Sequence, residues 1–147
     1  MNESFEDENI CTEFIKNCAP EGWIANTFNG SYYFDDAPHA AQGSHFVGLT
    51  FGKGRIRYFI RSPLLSAMRP GAQYTVSFMI RSNQVERDSV GILFTEADPL
   101  YEKSGIRGKK PYFYVADARE KADPATWQKL SFTYMASGSE RFIAIGD

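Results

Sequence analysis

Long apolar runs and a secretory signal are both missing from this sequence. No stretch approaches the roughly 20 apolar residues that a membrane-spanning helix needs, so direct membrane insertion is not expected. The residues after Met1 include the acidic Glu3, Glu6, Asp7 and Glu8, without the basic and apolar regions of a secretory signal. Because a piece of a longer exported precursor would look the same, this feature leaves the cellular location open.

A strong charge of one sign and catalytic signatures are also missing. The 16 Lys and Arg residues against 18 Asp and Glu residues give a formal charge of -2, so we expect no nucleic-acid partner. No nucleophile elbow, HExxH motif, P-loop or Ser-His-Asp grouping is visible. The adjacent carboxylates Asp35 and Asp36 would diverge if they lay on a strand. The sequence therefore predicts a noncatalytic protein.

Cysteine is scarce, with only Cys11 and Cys18 in the chain. Six intervening residues leave enough chain for ordinary disulfide geometry, and a bond would indicate an oxidising compartment. Two reduced thiols are the alternative. A zinc site is not expected, because His39 and His45 do not follow the cysteines at a zinc-finger spacing.

Aromatic residues are abundant, at 15% of the 147 residues, and they lie in short alternating runs typical of strands. Residues 73–81 alternate most clearly, and turn residues separate the runs throughout. We therefore predict one all-β domain over residues 1–147, a sandwich or barrel of about eight to ten strands. The predicted core consists of Phe5, Trp23, Leu49, Tyr74, Val76, Phe78, Ile92, Phe94, Leu130, Phe132 and Ile143.

A binding surface is predicted beside the strand at residues 55–61. If Ile60 and its alternate neighbours face the core, Arg57 and Phe59 lie on an opposite, cationic face. The aromatic and acidic segment 31–38 is expected to join them as a loop. Aromatic rings stack on sugars and arginine forks bind hydroxyls or carboxylates, so the ligand-binding residues are predicted to be Tyr32, Tyr33, Asp35, Arg57, Phe59 and Tyr112.

Two other interpretations of this surface remain open. The same aromatic and arginine residues could dock a partner protein, since interfaces are enriched in both. Alternatively, Phe59 packs under a neighbouring loop and the arginines only keep the sheet edge soluble.

The order of short motifs carries a resemblance over nearly the whole chain. The motifs are SFE at 4–6, GW at 22–23, GSHFVGL at 43–49, PGAQYTVSF at 70–78 and WQKLSFTY at 127–134. Together they resemble the galactose-binding-like jelly rolls of bacterial carbohydrate-binding modules. With the paired cysteines, YFIRSPL and ERFIAIGD, the chain is also similar to a sandwich domain of surface and secreted proteins of gliding and related Gram-negative bacteria, often beside OmpA-like domains.

This resemblance implies a jelly-roll β-sandwich of two antiparallel sheets in an extracellular, cell-surface or periplasmic protein. It implies a noncatalytic module that binds a glycan or, alternatively, a surface protein, and it favours the disulfide between Cys11 and Cys18. Because the sequence ends at Asp147, beside an apolar segment, we expect the domain to be truncated at its C-terminal end within a longer multidomain protein.

The resemblance also implies a structural calcium ion where the first and last strands meet. Its ligands would be the Glu6 carboxylate, a carbonyl from Gly43 or Ser44, and the Asp147 carboxylate. The alternative for the acidic run at residues 6–8 is solvated charge at the start of a loop.

Overall fold

A computed structural model describes residues 4–9, 20–26, 31–49, 58–81, 90–101, 113–114 and 126–146, with the backbone alone at 31, 32, 113 and 114. These residues form nine strands and a 3-10 turn at Ala37–His39. The strands are β1 Ile24–Ala25, β2 Ser31–Asp35, β3 His45–Leu49, β4 Phe59–Pro63, β5 Gln73–Ile80, β6 Gly91–Thr95, β7 Phe113–Tyr114, β8 Gln128–Met135 and β9 Phe142–Gly146.

Every strand pairing in this part of the chain is antiparallel. One sheet has five strands in the order β1-β4-β9-β6-β7, and β2–β3 and β5–β8 form two-stranded ribbons. The predicted all-β sandwich is therefore confirmed. None of the described residues belongs to a helix long and apolar enough to cross a membrane.

The core lies where both ribbons pack against the five-stranded sheet. The sheet contributes Ile60, Ile92 and Ile143, which cluster with Trp23. Strict alternation in β5 and β8 turns every second residue inward, and the inward Phe78 connects this cluster to a smaller one around Val90 and Leu130. Of the other predicted core residues, Phe5, Leu49, Phe94 and Phe132 pack against the main cluster, and Tyr74 and Val76 are partly buried.

The prediction of an exposed cationic face beside Ile60 is wrong for its described residues. Ile60 does face the core, but Phe59 and Arg61 on the opposite face are only 6% and 3% exposed. The Arg61 guanidinium Nε donates to an Asp98 carboxylate oxygen. Phe59 lies opposite Gly146, where an added Cβ would be 2.5 Å from the Phe59 Cβ. The sheet is therefore covered on both faces here.

The first half of the chain shows two further local features. Ser4 and Phe5 of the SFE motif do not lie in a strand, and Phe5 has a φ of 63°. Its ring packs at 5.4 Å from the Trp23 ring, which anchors the segment to the core. The segment 31–38, predicted as a loop, instead begins with strand β2 at Ser31–Asp35, consistent with the strand preference of Tyr and Phe, and continues into the 3-10 turn.

Candidate binding surface on the β2–β3 hairpin

The paired strands β2 and β3 place two chemically different sets of side chains on their two faces. In the register, Tyr33 is opposite Val47 and Phe34 is opposite Phe46. Because opposed residues share a face and successive residues alternate, Tyr33 and His45 lie on one side, and Phe34 and Phe46 lie on the other. We call these the inner face and the outer face of the hairpin.

Tyr33 is buried on the inner face, whereas the sequence predicted an exposed side chain. Its side chain is 9% exposed, and its ring stacks on the His45 ring at 5.1 Å with a 10° interplanar angle. Its hydroxyl donates to the Phe5 carbonyl oxygen at 2.7 Å. Burial, aided by the nearby charges of Glu8 and Glu6, raises the pKa of Tyr33 to about 12. Tyr33 is therefore a neutral structural donor.

The Glu6 carboxylate joins the N-terminal segment to β3. It accepts from the Ser44 N–H at 3.1 Å, the Ser44 hydroxyl at 3.0 Å and the His45 N–H at 3.0 Å. His45 Nδ1 is 2.9 Å from Glu6 Oε2, and it carries the proton because an ionised carboxylate can only accept. Bonds from His45 and then Ser44 lower the pKa of Glu6 to about 2.

His45 faces further carboxylates through its other ring nitrogen. Nε2 lies 3.3 Å from Glu8 Oε1 and 3.7 Å from Asp35 Oδ1. Burial by itself would lower the pKa of His45, but the hydrogen bond and charge of Glu6, with contributions from Asp35 and Glu8, raise it. The inner face therefore favours a protonated imidazole.

The described residues of the predicted calcium site take part in hydrogen bonds within the protein. The Glu6 oxygens face N–H and O–H donors, and the Ser44 carbonyl oxygen already accepts the Asp36 N–H at 2.8 Å. Within the described ranges, no group of three His, Cys, Asp or Glu side chains is arranged to hold a metal ion. Asp147 lies outside those ranges, so calcium binding stays a prediction.

The outer face carries a cluster of aromatic rings with a cation. The Phe34 and Phe46 rings stack at 4.9 Å, and Phe46 meets the Trp127 ring edge-on at 6.0 Å. The Arg81 guanidinium lies 5.1 Å from the Trp127 centroid and 5.7 Å from the Phe46 centroid. We call these four residues the aromatic patch. Phe34 is 39% exposed and the other three are partly exposed.

The outward face of the β5–β8 ribbon continues from the aromatic patch. Its exposed residues are Gln73, Thr75, Ser77 and Met79 on β5 and Lys129, Ser131, Thr133 and Met135 on β8. We call this set the polar ladder. Met79 is opposite Lys129 in the register, and one further outward pair along the strands places Arg81 opposite Trp127. The two surfaces are therefore contiguous.

The predicted ligand residues do not form one surface among those that the structure describes. Phe59 and Tyr33 are buried in different strands, and Asp35, with a 73% exposed side chain, lies beside His45. Only the backbone of Tyr32 is described, opposite Gly48. The predicted residues Arg57 and Tyr112 lie outside the described residues, as do Cys11 and Cys18, so the disulfide stays a prediction.

Sequence reasoning missed the aromatic patch, although one signal for it was present. Trp127 has the opposite parity from Leu130 and Phe132, which indicates a residue on the outward face of β8. The same parity also fits a ring that packs where the strand begins, so by itself it does not identify a surface. The Trp127 indole does donate to the His39 carbonyl oxygen at 2.9 Å, but its ring also supports Arg81.

Comparison with known proteins identifies the fold and no family. No family model and no curated protein matches the chain. The K2 cleaved adhesin domain of Lys-gingipain is 12% identical, with a TM-score of 0.54 over 98% of this chain and 86% of that chain. The Stig cyclase Fisc from Fischerella sp. TAU is 14% identical, with a TM-score of 0.54 over 99% of this chain and 84% of that chain.

At such low identity the two similarities show the fold alone. They support a β-sandwich of the kind found in an adhesin domain, and they do not extend to the galactose-binding-like class in particular. Since one neighbour is an adhesin domain and the other a cyclase, the fold is compatible with binding and with catalysis. The choice between binding and catalysis must therefore rest on this protein's own side chains.

Proposed function

We propose that this chain is a noncatalytic extracellular module that binds a carbohydrate on the aromatic patch. The observation that carries the proposal is the Arg81 guanidinium held over the rings of Trp127 and Phe46, with Phe34 stacked beside them. Flat rings suit the apolar faces of sugars, and a guanidinium donates several hydrogen bonds in fixed directions. Partial exposure of these side chains leaves surface for a ligand to contact.

The adhesin-domain neighbour supports this proposal at the level of architecture. The neighbour with this fold is the K2 cleaved adhesin domain of Lys-gingipain, so the proposed binding role matches the role named for that domain. The proposal transfers that general role, and the aromatic patch provides the local chemistry for it.

The Glu6, Ser44 and His45 cluster does not favour a catalytic alternative. In a Ser-His-acid triad, the imidazole contacts the serine with one nitrogen and the acid with the other. Here His45 Nδ1 is 2.9 Å from both the Ser44 hydroxyl and the Glu6 carboxylate. The Ser44 hydroxyl also lies 3.0 Å from Glu6. A protonated Nδ1 shared in this way cannot accept the serine proton, so the cluster is better explained as structural.

Direct binding measurements test the proposed function. The whole chain is titrated calorimetrically with soluble starch, xylan, polygalacturonate, alginate and hyaluronan. At least one should bind, and Trp127→Ala should weaken that binding about 30-fold, the effect of losing a central interface residue worth ~2 kcal/mol. The matched control is Leu65→Ala, which removes an apolar side chain that is 85% exposed and lies outside both the aromatic patch and the polar ladder, and it should change the affinity less than about twofold.

Two results would contradict the proposal. If no polysaccharide binds, the carbohydrate assignment is wrong and the same patch is better assigned to a partner protein. If binding occurs but Trp127→Ala and Leu65→Ala leave it equally unaffected, the module binds carbohydrate elsewhere.

A further inference from the structure

We propose that the carbohydrate is an extended acidic glycan, which lies along the polar ladder and places a sugar carboxylate between Arg81 and Lys129. This inference rests on the proposed function and adds the chemical class of the ligand. It depends on the charge, the register and the side-chain types of the β5–β8 ribbon.

The outward face of this ribbon is cationic in a chain that is acidic overall. The chain has 18 acidic against 16 basic residues, yet the outward residues of the ribbon include Arg81 and Lys129 and no Asp or Glu. Among the described residues, no carboxylate forms an ion pair with either cation. His39 accepts the Trp127 indole hydrogen bond through its carbonyl oxygen. The Asp36 carboxylate, which belongs to the same turn, lies 2.8 Å from His39 Nδ1. The local field therefore favours an anionic ligand.

The strand register places Arg81 and Lys129 close enough for both side chains to contact one carboxylate. Lys129 is opposite Met79, and Arg81 follows Met79 by two residues, so the two cations are diagonal neighbours. Such neighbours are about 7–8 Å apart and are within reach of long side chains. The Arg81 guanidinium lies over the Trp127 ring, 5.1 Å from its centroid, and a guanidinium can bind a carboxylate through two parallel N–H···O hydrogen bonds.

The remaining positions of the polar ladder suit a chain of hydroxyl groups. Thr75 is opposite Thr133 and Ser77 is opposite Ser131, and all four are exposed. Hydroxyl side chains both donate and accept, as sugar hydroxyls require. The eight residues of β5 extend over about 27 Å at ~3.4 Å per residue, so an oligosaccharide rather than a single sugar fits this length.

The same surface fits other polyanions less well. A nucleic acid presents a phosphate charge every ~1.7 Å of duplex, which two cations over the length of the ladder do not match. A protein partner would need a central desolvated pocket for its anchoring side chains, whereas the centre of this face consists of exposed Ser and Thr pairs, with the exposed Met79 and Met135 towards its two ends.

Matched ligands with and without the carboxylate test the inference. Polygalacturonate, alginate and hyaluronan are each compared with the carboxyl-reduced form of the same polymer by calorimetry with the whole chain. We expect at least one acidic form to bind tenfold or more tightly than its reduced counterpart, with an affinity that falls as NaCl rises.

Charge-neutralising variants locate the effect. Arg81→Gln and Lys129→Gln should each reduce the preference for the acidic form, and the double variant should bring it within about twofold while binding of the reduced form persists. Arg69→Gln removes an exposed cation outside the ladder and should keep the preference. Circular dichroism spectra and unfolding midpoints check that each variant is folded.

The possible contradictions separate this inference from the proposed function. Equal binding of acidic and reduced polymers would overturn the acidic ligand and leave carbohydrate binding intact. Tighter binding of polyglutamate or duplex DNA than of every acidic polysaccharide would overturn the glycan assignment. If no polysaccharide of either form binds, the proposed function itself fails.

Discussion

The two faces of the β2–β3 hairpin differ in the way their aromatic rings are used. Tyr33, on the inner face, is 9% exposed, and its hydroxyl donates a hydrogen bond to the Phe5 carbonyl oxygen. Its neighbour Phe34, on the outer face, is 39% exposed and packs on Phe46 beside Trp127. Adjacent residues of β2 therefore have different roles: the Tyr33 ring stabilises the fold, whereas the Phe34 ring is accessible to a ligand.

The difference comes from what lies over each face. The N-terminal segment covers the inner face, and its Glu6 carboxylate accepts hydrogen bonds from Ser44 and His45. The outer face is bordered by Trp127 and Arg81 of the second ribbon, whose side chains remain partly exposed. Polar groups that bind one another stabilise the fold, whereas rings and cations left partly exposed are available for recognition.

The largest expected effect is the contrast between Tyr33→Ala and Phe34→Ala. Removing the buried Tyr33 ring should cost about 3–5 kcal/mol of the free energy of unfolding, as for other buried aromatic residues. Phe34→Ala should cost less than half as much and should weaken glycan binding instead. Urea denaturation measures both costs. Equal destabilisation by the two variants would show that the faces do not differ as described.

A smaller effect is expected from pH and should be confined to the inner face. The lowered pKa of Glu6, about 2, contributes stability above its ordinary value of 4.5 that is lost as the pH falls towards 2. The raised pKa of His45 contributes stability below its ordinary value of 6.5 that is lost as the pH rises through the folded value. The inner face should therefore contribute most between about pH 4.5 and 6.5.

Substitutions on the two faces of the hairpin test whether this pH dependence of stability comes from the inner face. His45→Gln should flatten the loss of thermal stability above about pH 6.5, and Phe34→Ala should leave the shape of the profile unchanged. Glu6→Gln should reduce the loss at low pH without abolishing it, because hydrogen bonds from Tyr134 and Ser137 also lower the pKa of Glu140 to about 2 despite its burial. Parallel profiles for the parent chain and His45→Gln would argue against the proposed interaction.

The smallest effect is expected from Gly48→Ala, which would alter the outer face alone. An added Cβ would lie 2.9 Å from Phe34 Cε2, so the ring must shift, and partial exposure lets it do so. Gly48 does not have a positive φ, so we expect a change in stability below about 1 kcal/mol and a severalfold loss of glycan affinity. The exposed Ser66→Ala is the control. Unchanged affinity would remove Phe34 from the binding surface.

Local sequence patterns by themselves determined the all-β class and the inward residues of the β5–β8 ribbon. Alternation over residues 73–81 predicted β5 almost to its observed bounds of Gln73–Ile80, and the predicted core correctly included Phe78 and Leu130. This succeeds because the two-residue period of a strand is a local property, and burial of one face repeats it in the sequence.

Only the tertiary structure decided which of the other faces are covered. Alternation correctly separated Phe59 and Arg61 from Ile60, but Arg61 is buried because Asp98, distant in sequence, pairs with it. It could not show that the second face of β2–β3 meets Trp127 and Arg81. The period of a strand states which residues share a face, whereas exposure depends on segments remote in the chain that pack over it.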